Sequence, residues 1–239
     1  MQSFFIIQMQ RILMPDRFVL PAAVLFDMDG TLLNTEDLWF LSEIELMKSF
    51  GIHWTNADHQ VCVGGPASRV TDYMIKRIGE TIDPVVLMQQ AEVSVEKVFA
   101  RNEISWQPGA KELLDSVTDH EIPTALVTAS SSAIVSLVAR QIDLSVFDSI
   151  ITGDDVENAK PYPDPYLQAA GSLGVEVRNC VVIEDSNTGV KSALEAGAYV
   201  LCVPSHPILI SDDRMRSIPT LTQTKIMDLD IKLWTTERS

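Results

Sequence analysis

Two carboxylates stand two residues apart in the segment Asp27-Met28-Asp29-Gly30-Thr31, which directly follows a short apolar run. If that run is a strand, Asp27 and Asp29 can point to the same side of it. Like charges held so close raise the pKa of one carboxyl, so that one group stays protonated while its neighbour is ionised. The pair can therefore supply a nucleophile and a general acid, and Gly30 allows a sharp turn close to a ligand.

The acid pair also has plainer explanations. Any single Asp-x-Asp-Gly segment can form a solvated Asx turn. A calcium-binding loop is disfavoured, because its glycine belongs at the sixth position and Gly30 is the fourth residue counted from Asp27. The pair alone therefore leaves a catalytic site and a surface turn open.

Hydroxyl groups follow a second apolar run, in the segment Thr128-Ala129-Ser130-Ser131-Ser132. A helical pattern begins there, so free backbone N–H groups and the positive end of the helix dipole favour a bound anion. Capping of that helix by Ser130 or Ser131 explains the same residues equally well and is compatible with an anion site.

Lys160 follows a third run and precedes Pro161 and Pro163. The prolines stiffen the loop and would hold the ammonium group in place. For a lone lysine, a solvated surface charge is the better explanation.

Glu184 and Asp185 follow a fourth run. Two acids after a buried strand are costly unless they meet a cation, and carboxylate oxygens suit Mg²⁺ better than zinc. An acidic cap for a helix beginning near Thr188 is equally expected from this segment alone. Taken together, however, four strand ends each offer one part of a phosphoryl-transfer site, which favours a shared site over coincidence.

A predicted parallel sheet must position these groups. Short apolar runs rich in β-branched residues predict buried strands, and helical patterns between the later runs favour a parallel sheet covered on both faces. In such sheets ligands bind beyond the carboxyl ends of the strands, where the strand order reverses. The predicted strands are Ala23–Phe26, Thr124–Thr128, Ser149–Thr152, Cys180–Glu184 and Tyr199–Val203. The predicted helices between them are Pro108–Val117, Ser131–Gln141, Pro165–Leu173 and Thr188–Ala196.

One interval breaks this alternation, because no comparable strand appears between Phe26 and Thr124. The interval is helical in character, with two long helix candidates. We therefore expect an α/β fold with a Rossmann-like parallel-sheet core, residues 21–36 and 103–239, and an inserted all-helical cap at residues 37–102. Residues 1–20 are expected to form an irregular extension.

Composition restricts the partners. The net charge of -15 opposes binding to nucleic acid, since basic residues are not locally concentrated. Three widely spaced cysteines suit a reducing compartment. Arg11 interrupts the apolar start of the chain, so a signal peptide is not expected, and no apolar run approaches the roughly 20 residues of a membrane span. We expect a cytoplasmic monomer with no membrane or nucleic-acid partner.

The motifs resemble the haloacid dehalogenase superfamily, and specifically its helical-cap branch that contains β-phosphoglucomutase and small sugar-phosphate phosphatases. The segment Asp27-Met28-Asp29-Gly30-Thr31-Leu32 after a hydrophobic strand is highly specific for it. Thr128, Lys160 and the segment Ile183–Gly189 resemble the remaining motifs in order. The resemblance covers the chain from about Ala23 to Val203.

The resemblance implies roles for the two aspartates and a metal ion. Asp27 would be the nucleophile that becomes a phosphoaspartate, and Asp29 would protonate the leaving alkoxide and later activate water. Mg²⁺ would bind the Asp27 carboxylate, the Asp29 backbone carbonyl and Asp185, with Glu184 in the same coordination sphere or the next.

The resemblance also implies substrate contacts. Thr128 and the backbone N–H of Ala129 would hold the phosphate, and Lys160 would offset its charge. In the cap, the segment Gly64-Gly65-Pro66-Ala67-Ser68-Arg69 resembles the specificity loop of the family, so Gly65, Ser68 and Arg69 are candidate substrate contacts. For Arg69, a position on a helix surface just past a capping serine is equally expected.

The expected function is Mg²⁺-dependent hydrolysis of a small phosphomonoester, a sugar phosphate by resemblance. The mutase branch has a histidine in the hinge where this chain has Trp39, which weakens the alternative of a β-phosphoglucomutase-like phosphomutase. A dehalogenase is disfavoured because halide loss needs no acid such as Asp29. An inactive phosphate-sensing or partner-binding protein is a third alternative, against which the intact motifs argue.

Overall fold

A computed structural model describes residues 19–63, 67–79 and 81–234 of the chain. The predicted irregular extension, residues 1–20, lies outside this part except for its last two residues.

The centre of the molecule is a parallel sheet of six strands, as the alternation of strands and helices predicts. Its spatial order is β5-β4-β1-β6-β7-β8, so β1 is central and pairs with both β4 and β6. The strand order reverses beside β1, and a crevice therefore opens at its carboxyl end. The strands of this sheet are β1 Ala23–Phe26, β4 Thr124–Val127, β5 Ser149–Ile151, β6 Cys180–Glu184, β7 Tyr199–Cys202 and β8 Met215–Ser217.

Both faces of the sheet are covered by helices. One face, with Leu25 and Val182, packs against α7 and α8, and the other, with Phe26 and Ile183, packs against α5 and α6. Strands buried on both faces read as continuous apolar runs rather than as alternating ones, which is why their sequences predict them well. The helices are α5 Ala110–Asp119, α6 Ser132–Val138, α7 Asp164–Ser172 and α8 Asn187–Ala196.

A second group of helices lies between two short strands, β2 Leu33–Asn34 and β3 Ser105–Trp106. These strands pair antiparallel at the base of the insertion. The prediction that the insertion follows the first strand directly missed this ladder, because strands of two residues carry no periodicity. The helical insertion confirms the prediction that the fold includes a helical cap. The predicted bounds of the cap domain, residues 37–102, stay a prediction. Its helices are α1 Glu36–Ser49, α2 Asn56–Cys62, α3 Ala67–Ile78 and α4 Pro84–Arg101.

The insertion has its own apolar core and its own buried polar cluster. Within that cluster the indole N–H of Trp54 donates to Glu43 Oε2 at 2.9 Å, and the same oxygen contacts His59 Nδ1 at 2.8 Å. The pKa of His59 is raised, because the hydrogen bond and the charge of Glu43 outweigh the opposing effect of burial. The histidine is thus part of the buried polar cluster of the insertion.

No helix within the described residues combines the length and the apolar character that crossing a membrane demands.

The central strand should carry much of the stability, since its side chains are fully buried. Replacing Leu25→Ala should lower the free energy of unfolding by about 2–5 kcal/mol, because the cavity adds to the lost apolar transfer. Leu167→Ala is the matched control, since Leu167 on α7 is 47% exposed and its loss should change stability by about 0.5 kcal/mol or less. Urea unfolding measures the free energy of unfolding of both variants. Equal losses in the two variants would contradict the burial of Leu25 and the exposure of Leu167.

Candidate active site

The predicted motif residues meet at the carboxyl edge of the sheet. Asp27 follows β1, Thr128 follows β4, and Glu184 ends β6, while Lys160 enters from the loop that precedes α7. Because β1 lies between β4 and β6, the three strand ends are neighbours. The backbone N–H of Asp27 donates to Ile183 O at 3.0 Å, which joins the ends of β1 and β6.

Lys160 is buried among acceptors at the centre of this edge. Its Nζ donates to Asp27 Oδ1 at 2.7 Å, to Glu184 Oε1 at 2.7 Å and to the carbonyl oxygen of Val127 at 3.0 Å. These three bonds use every N–H of the ammonium group. The Tyr166 ring lies beside it, with its centroid 4.9 Å from Nζ. Lys160 is therefore not the solvated surface charge that a lone lysine suggests.

Glu184 is saturated by protein donors. Its Oε1 accepts from Lys160 Nζ and from the Tyr166 hydroxyl at 2.9 Å. Its Oε2 accepts from the backbone N–H groups of Asp185 and Ser186, at 3.0 and 3.1 Å, and from the Ser186 hydroxyl at 3.1 Å. A Cβ atom on Gly189 in α8 would overlap this carboxylate. The glycine therefore provides the space that Glu184 occupies.

Asp185 faces the other side of the strand end. Its Oδ1 accepts from the Thr31 hydroxyl at 3.1 Å, and its Oδ2 accepts from the Ser205 hydroxyl at 2.6 Å. Gly30 has a φ of 80°, and a Cβ there would overlap the Asp185 carboxylate. Burial raises the pKa of Asp185 to about 7, and the negative charge of Glu184 adds to the rise.

The buried charges of this cluster do not balance among the described residues. Three carboxylates, those of Asp27, Glu184 and Asp185, are buried close together, and Lys160 is paired with only two of them, Asp27 and Glu184. Burial and the charge of Glu184 raise the pKa of Asp27 well above its ordinary value, although Lys160 opposes the rise. Burial lowers the pKa of Lys160, but the charges of Asp27 and Glu184 outweigh it and raise the pKa well above its ordinary value.

The excess of negative charge fits a metal ion. One carboxylate oxygen from each of Asp27, Glu184 and Asp185 lies within 4.8 Å of the others. A buried carboxylate without a compensating positive charge is costly, and an all-oxygen donor set suits a hard divalent cation. The acidic cluster can therefore hold such an ion.

Asp29 is held by four neutral donors from two parts of the molecule. Oδ1 accepts from the Thr35 hydroxyl at 2.8 Å and from the Trp39 indole N–H at 3.0 Å, at the start of the insertion. Oδ2 accepts from the hydroxyls of Thr128 and Ser130, at 3.2 and 2.7 Å, in the loop after β4. The carboxyl thus bridges the insertion and the core.

The loop after β4 presents an unused donor. Ser130 N donates to the Thr128 hydroxyl at 3.0 Å, while the N–H of the exposed Ala129 has no acceptor in the described part of the chain. Ser131 occupies the N-cap position of α6, as the capping alternative predicts, but its side chain makes no capping hydrogen bond. Asp154 accepts from the N–H and the hydroxyl of Ser132, both at 2.7 Å, and so satisfies the helix end.

The three candidate substrate contacts of the cap are not brought to this cluster by any described contact. Gly65 lies outside the described residues, as does the side chain of Ser68 in α3. Arg69 is exposed on α3 and donates to the carbonyl oxygen of Val63 at 3.2 Å.

Among the described residues, seven side chains that donate hydrogen bonds in the cluster were not predicted as site residues: Thr31, Thr35, Trp39, Ser130, Tyr166, Ser186 and Ser205. Ser205 follows the end of β7, so the rule that selected the other strand ends could have found it. Thr31 and Ser130 lie inside the predicted motifs, where their hydroxyls were a visible signal. Thr35 and Tyr166 lie on neighbouring elements, and their contacts depend on tertiary packing that no local pattern reveals.

Comparison with known proteins agrees with this geometry. The model of the haloacid dehalogenase-like hydrolase family matches residues 24–203. Phosphorylated carbohydrates phosphatase from Thermotoga maritima is 32% identical over 176 residues, which are 73% of this chain and 81% of that protein. Protein SUPPRESSOR OF QUENCHING 1, chloroplastic, from Arabidopsis thaliana is 32% identical over 186 residues, 76% of this chain but only 18% of that much longer protein.

A solved structure supports the fold. The crystal structure of HAD hydrolase, family IA, variant 3 from Entamoeba histolytica superposes with a TM-score of 0.76 at 26% identity and covers 88% of this chain and 99% of that chain. Since the family model spans the sheet and the strand-end motifs together, this chain belongs to the haloacid dehalogenase-like hydrolase family.

Proposed function

We propose that this chain is a Mg²⁺-dependent phosphatase that hydrolyses a small phosphomonoester, a sugar phosphate, through an aspartyl-phosphate intermediate. The observation that carries the proposal is the pattern of hydrogen bonds to the Asp27 carboxylate. Lys160 binds its Oδ1, and no donor among the described residues reaches its Oδ2. One oxygen of a buried carboxylate is thus left available for attack. The similarity to the phosphorylated carbohydrates phosphatase of Thermotoga maritima supports a phosphorylated carbohydrate as substrate.

In the proposed reaction, Asp27 Oδ2 attacks phosphorus as the bond between phosphorus and the ester oxygen breaks. The ester oxygen takes the electron pair of that bond and a proton from Asp29, and the alcohol leaves. Water then attacks the phosphoaspartate and gives a proton to Asp29, and the bond between phosphorus and Asp27 breaks to release phosphate. Positioning and charge compensation supply most of the catalysis in such transfers.

The chain's own residues would hold the metal and the phosphate. The carboxylates of Asp27 and Asp185 and the backbone carbonyl of Asp29 would bind Mg²⁺, which the family's phosphatases generally use and which when bound would offset the charge of the transferring phosphoryl group. We place Glu184 in the next sphere, because five protein donors occupy its oxygens.

Phosphate binding is assigned to the loop after β4 and to Lys160. The free N–H of Ala129 and the hydroxyl of Thr128 would donate to phosphate oxygens. Lys160 would act through its charge, since a direct phosphate contact requires it to give up one of its three bonds. The insertion at residues 37–102 would select the leaving group, with Gly65, Ser68 and Arg69 as proposed contacts.

Loss of the nucleophile should abolish turnover. Asp27→Asn should lower kcat for phosphate release by at least about 10³-fold, because the attacking carboxylate is gone. Release is measured with p-nitrophenyl phosphate and a panel of hexose, pentose and nucleotide monophosphates, with Mg²⁺ and with chelator. Asp115→Asn is the control, since the Asp115 side chain is 53% exposed on α5.

The same assay separates the alternatives. Metal-dependent release that disappears in Asp27→Asn supports the phosphatase. Transfer of phosphate between sugar hydroxyls without net release would instead identify a phosphomutase. Metal-independent release, or release retained by Asp27→Asn, would refute the proposed mechanism, and binding without turnover would indicate a phosphate sensor.

Gly189 offers a test of the Glu184 position that removes no reacting group. In Gly189→Ala the added methyl must displace the Glu184 carboxylate, and Lys160 with it, so kcat should fall about ten-fold or more. Gly171→Ala is the matched control, because Gly171 lies in α7 with nothing near its Cβ position; it should keep full activity and gain up to about 1 kcal/mol of stability. Unchanged kcat in folded Gly189→Ala would contradict the arrangement.

A further inference from the structure

Trp39 connects the helical insertion to the carboxyl group of Asp29 in the core. Its indole N–H donates to Asp29 Oδ1 at 3.0 Å. Its ring packs edge-on against Phe99 of α4, with centroids 5.5 Å apart and an interplanar angle of 70°. The ring is therefore held from the side by a second helix, which fixes the direction in which its N–H points.

The four donors around Asp29 differ in what they can do. An indole N–H only donates, whereas a hydroxyl can turn and either donate or accept. Oδ1 accepts from the indole as well as from the Thr35 hydroxyl, so the side of Oδ1 that faces the indole can only accept. Oδ2 faces the hydroxyls of Thr128 and Ser130, which can turn to accept a proton placed on it. The neighbours of the Asp29 carboxyl thus make its two oxygens unequal in their ability to carry a proton.

We propose that Trp39 is a positioning residue that orients the Asp29 carboxyl so that Oδ2 is the oxygen that gives and takes the proton. The inference rests on the proposed function, in which Asp29 protonates the leaving group. Oδ2 lies on the side of the loop after β4, where the proposed phosphate donors lie. Trp39 keeps its own proton throughout and touches no reacting atom.

The proton can then be followed through both steps. As the bond between phosphorus and the ester oxygen breaks, Oδ2–H transfers its proton to that oxygen and Asp29 becomes a carboxylate. In the second step the attacking water returns a proton to Oδ2. Because the indole belongs to α1 and Asp29 to the core, the acid has this orientation only while α1 lies where the structure shows it.

The expected signature is a loss that depends on the leaving group. Trp39→Phe keeps a ring against Phe99 and removes the N–H. For benzyl phosphate, whose alkoxide must be protonated to leave, kcat/KM should fall about ten-fold or more, as expected for loss of positioned acid catalysis. For p-nitrophenyl phosphate, whose phenolate leaves without a proton, kcat/KM should fall by about two-fold or less. The two esters are similar in shape, so contacts with the insertion largely cancel.

Trp54→Phe is the matched control. It makes the same replacement in the same insertion and also removes an indole N–H from a buried carboxylate, Glu43. If a replacement only destabilises the helical insertion, kcat/KM should fall by the same factor for both esters. The ratio between the esters does not depend on the amount of folded protein, so it remains informative when a variant folds poorly.

A double-mutant cycle completes the test. In an Asp29→Asn background, Trp39→Phe should cause no further selective loss, since the group that it positions is gone. The proposal is supported if Trp39→Phe lowers the ratio of kcat/KM for benzyl phosphate to kcat/KM for p-nitrophenyl phosphate, and if it does not lower this ratio in the Asp29→Asn background. An equal factor for both esters, or a selective loss that persists without Asp29, overturns it. Failure of the proposed function is recognised separately, as benzyl phosphate hydrolysis that survives Asp27→Asn.

Discussion

The burial of three carboxylates together with one ammonium group at the carboxyl edge of the sheet is the constraint on which the rest of the structure depends. Lys160 spends all its donors on Asp27, Glu184 and the end of β4. Charges so deeply buried are tolerated only when paired and hydrogen-bonded, and here the carboxyl groups of the cluster outnumber the cation paired with them. A divalent cation would complete the pairing, so the same imbalance that disfavours the metal-free cluster favours binding of the ion.

The sheet order explains how residues so far apart in sequence form one cluster. Since β1 lies between β4 and β6, the strand reversal brings Asp27, Thr128 and Glu184 together at one edge, and Lys160 reaches between them from a loop. This much was predictable from the sequence, because strands buried on both faces are continuous apolar runs. By residue chemistry alone each motif was ambiguous, and a shared site was favoured only when four strand ends were considered together.

The parts that escaped prediction depend on contacts between elements. The β2–β3 ladder has two residues on each side, too few for any pattern. Ser131 holds the N-cap position of α6 that local rules favour, but the side-chain acceptor at this helix start is Asp154, on a separate turn of the chain. Trp39 was visible only as a departure from a familiar motif; its bond to Asp29 requires the helical insertion to be folded against the core.

Glu184 and Asp185 show why adjacency in sequence does not imply a shared role. Successive side chains of a strand point to opposite faces. Glu184 turns toward Lys160, Tyr166 and the space left by Gly189, while Asp185 turns toward Gly30, Thr31 and Ser205. Sequence reasoning named both as metal residues and left open whether Glu184 lies in the same coordination sphere as Asp185 or in the next. The period of the strand instead separates them. Glu184 fixes the buried lysine, whereas Asp185 accepts from two hydroxyl groups in the described part of the chain, which leaves carboxylate lone pairs that could bind a cation.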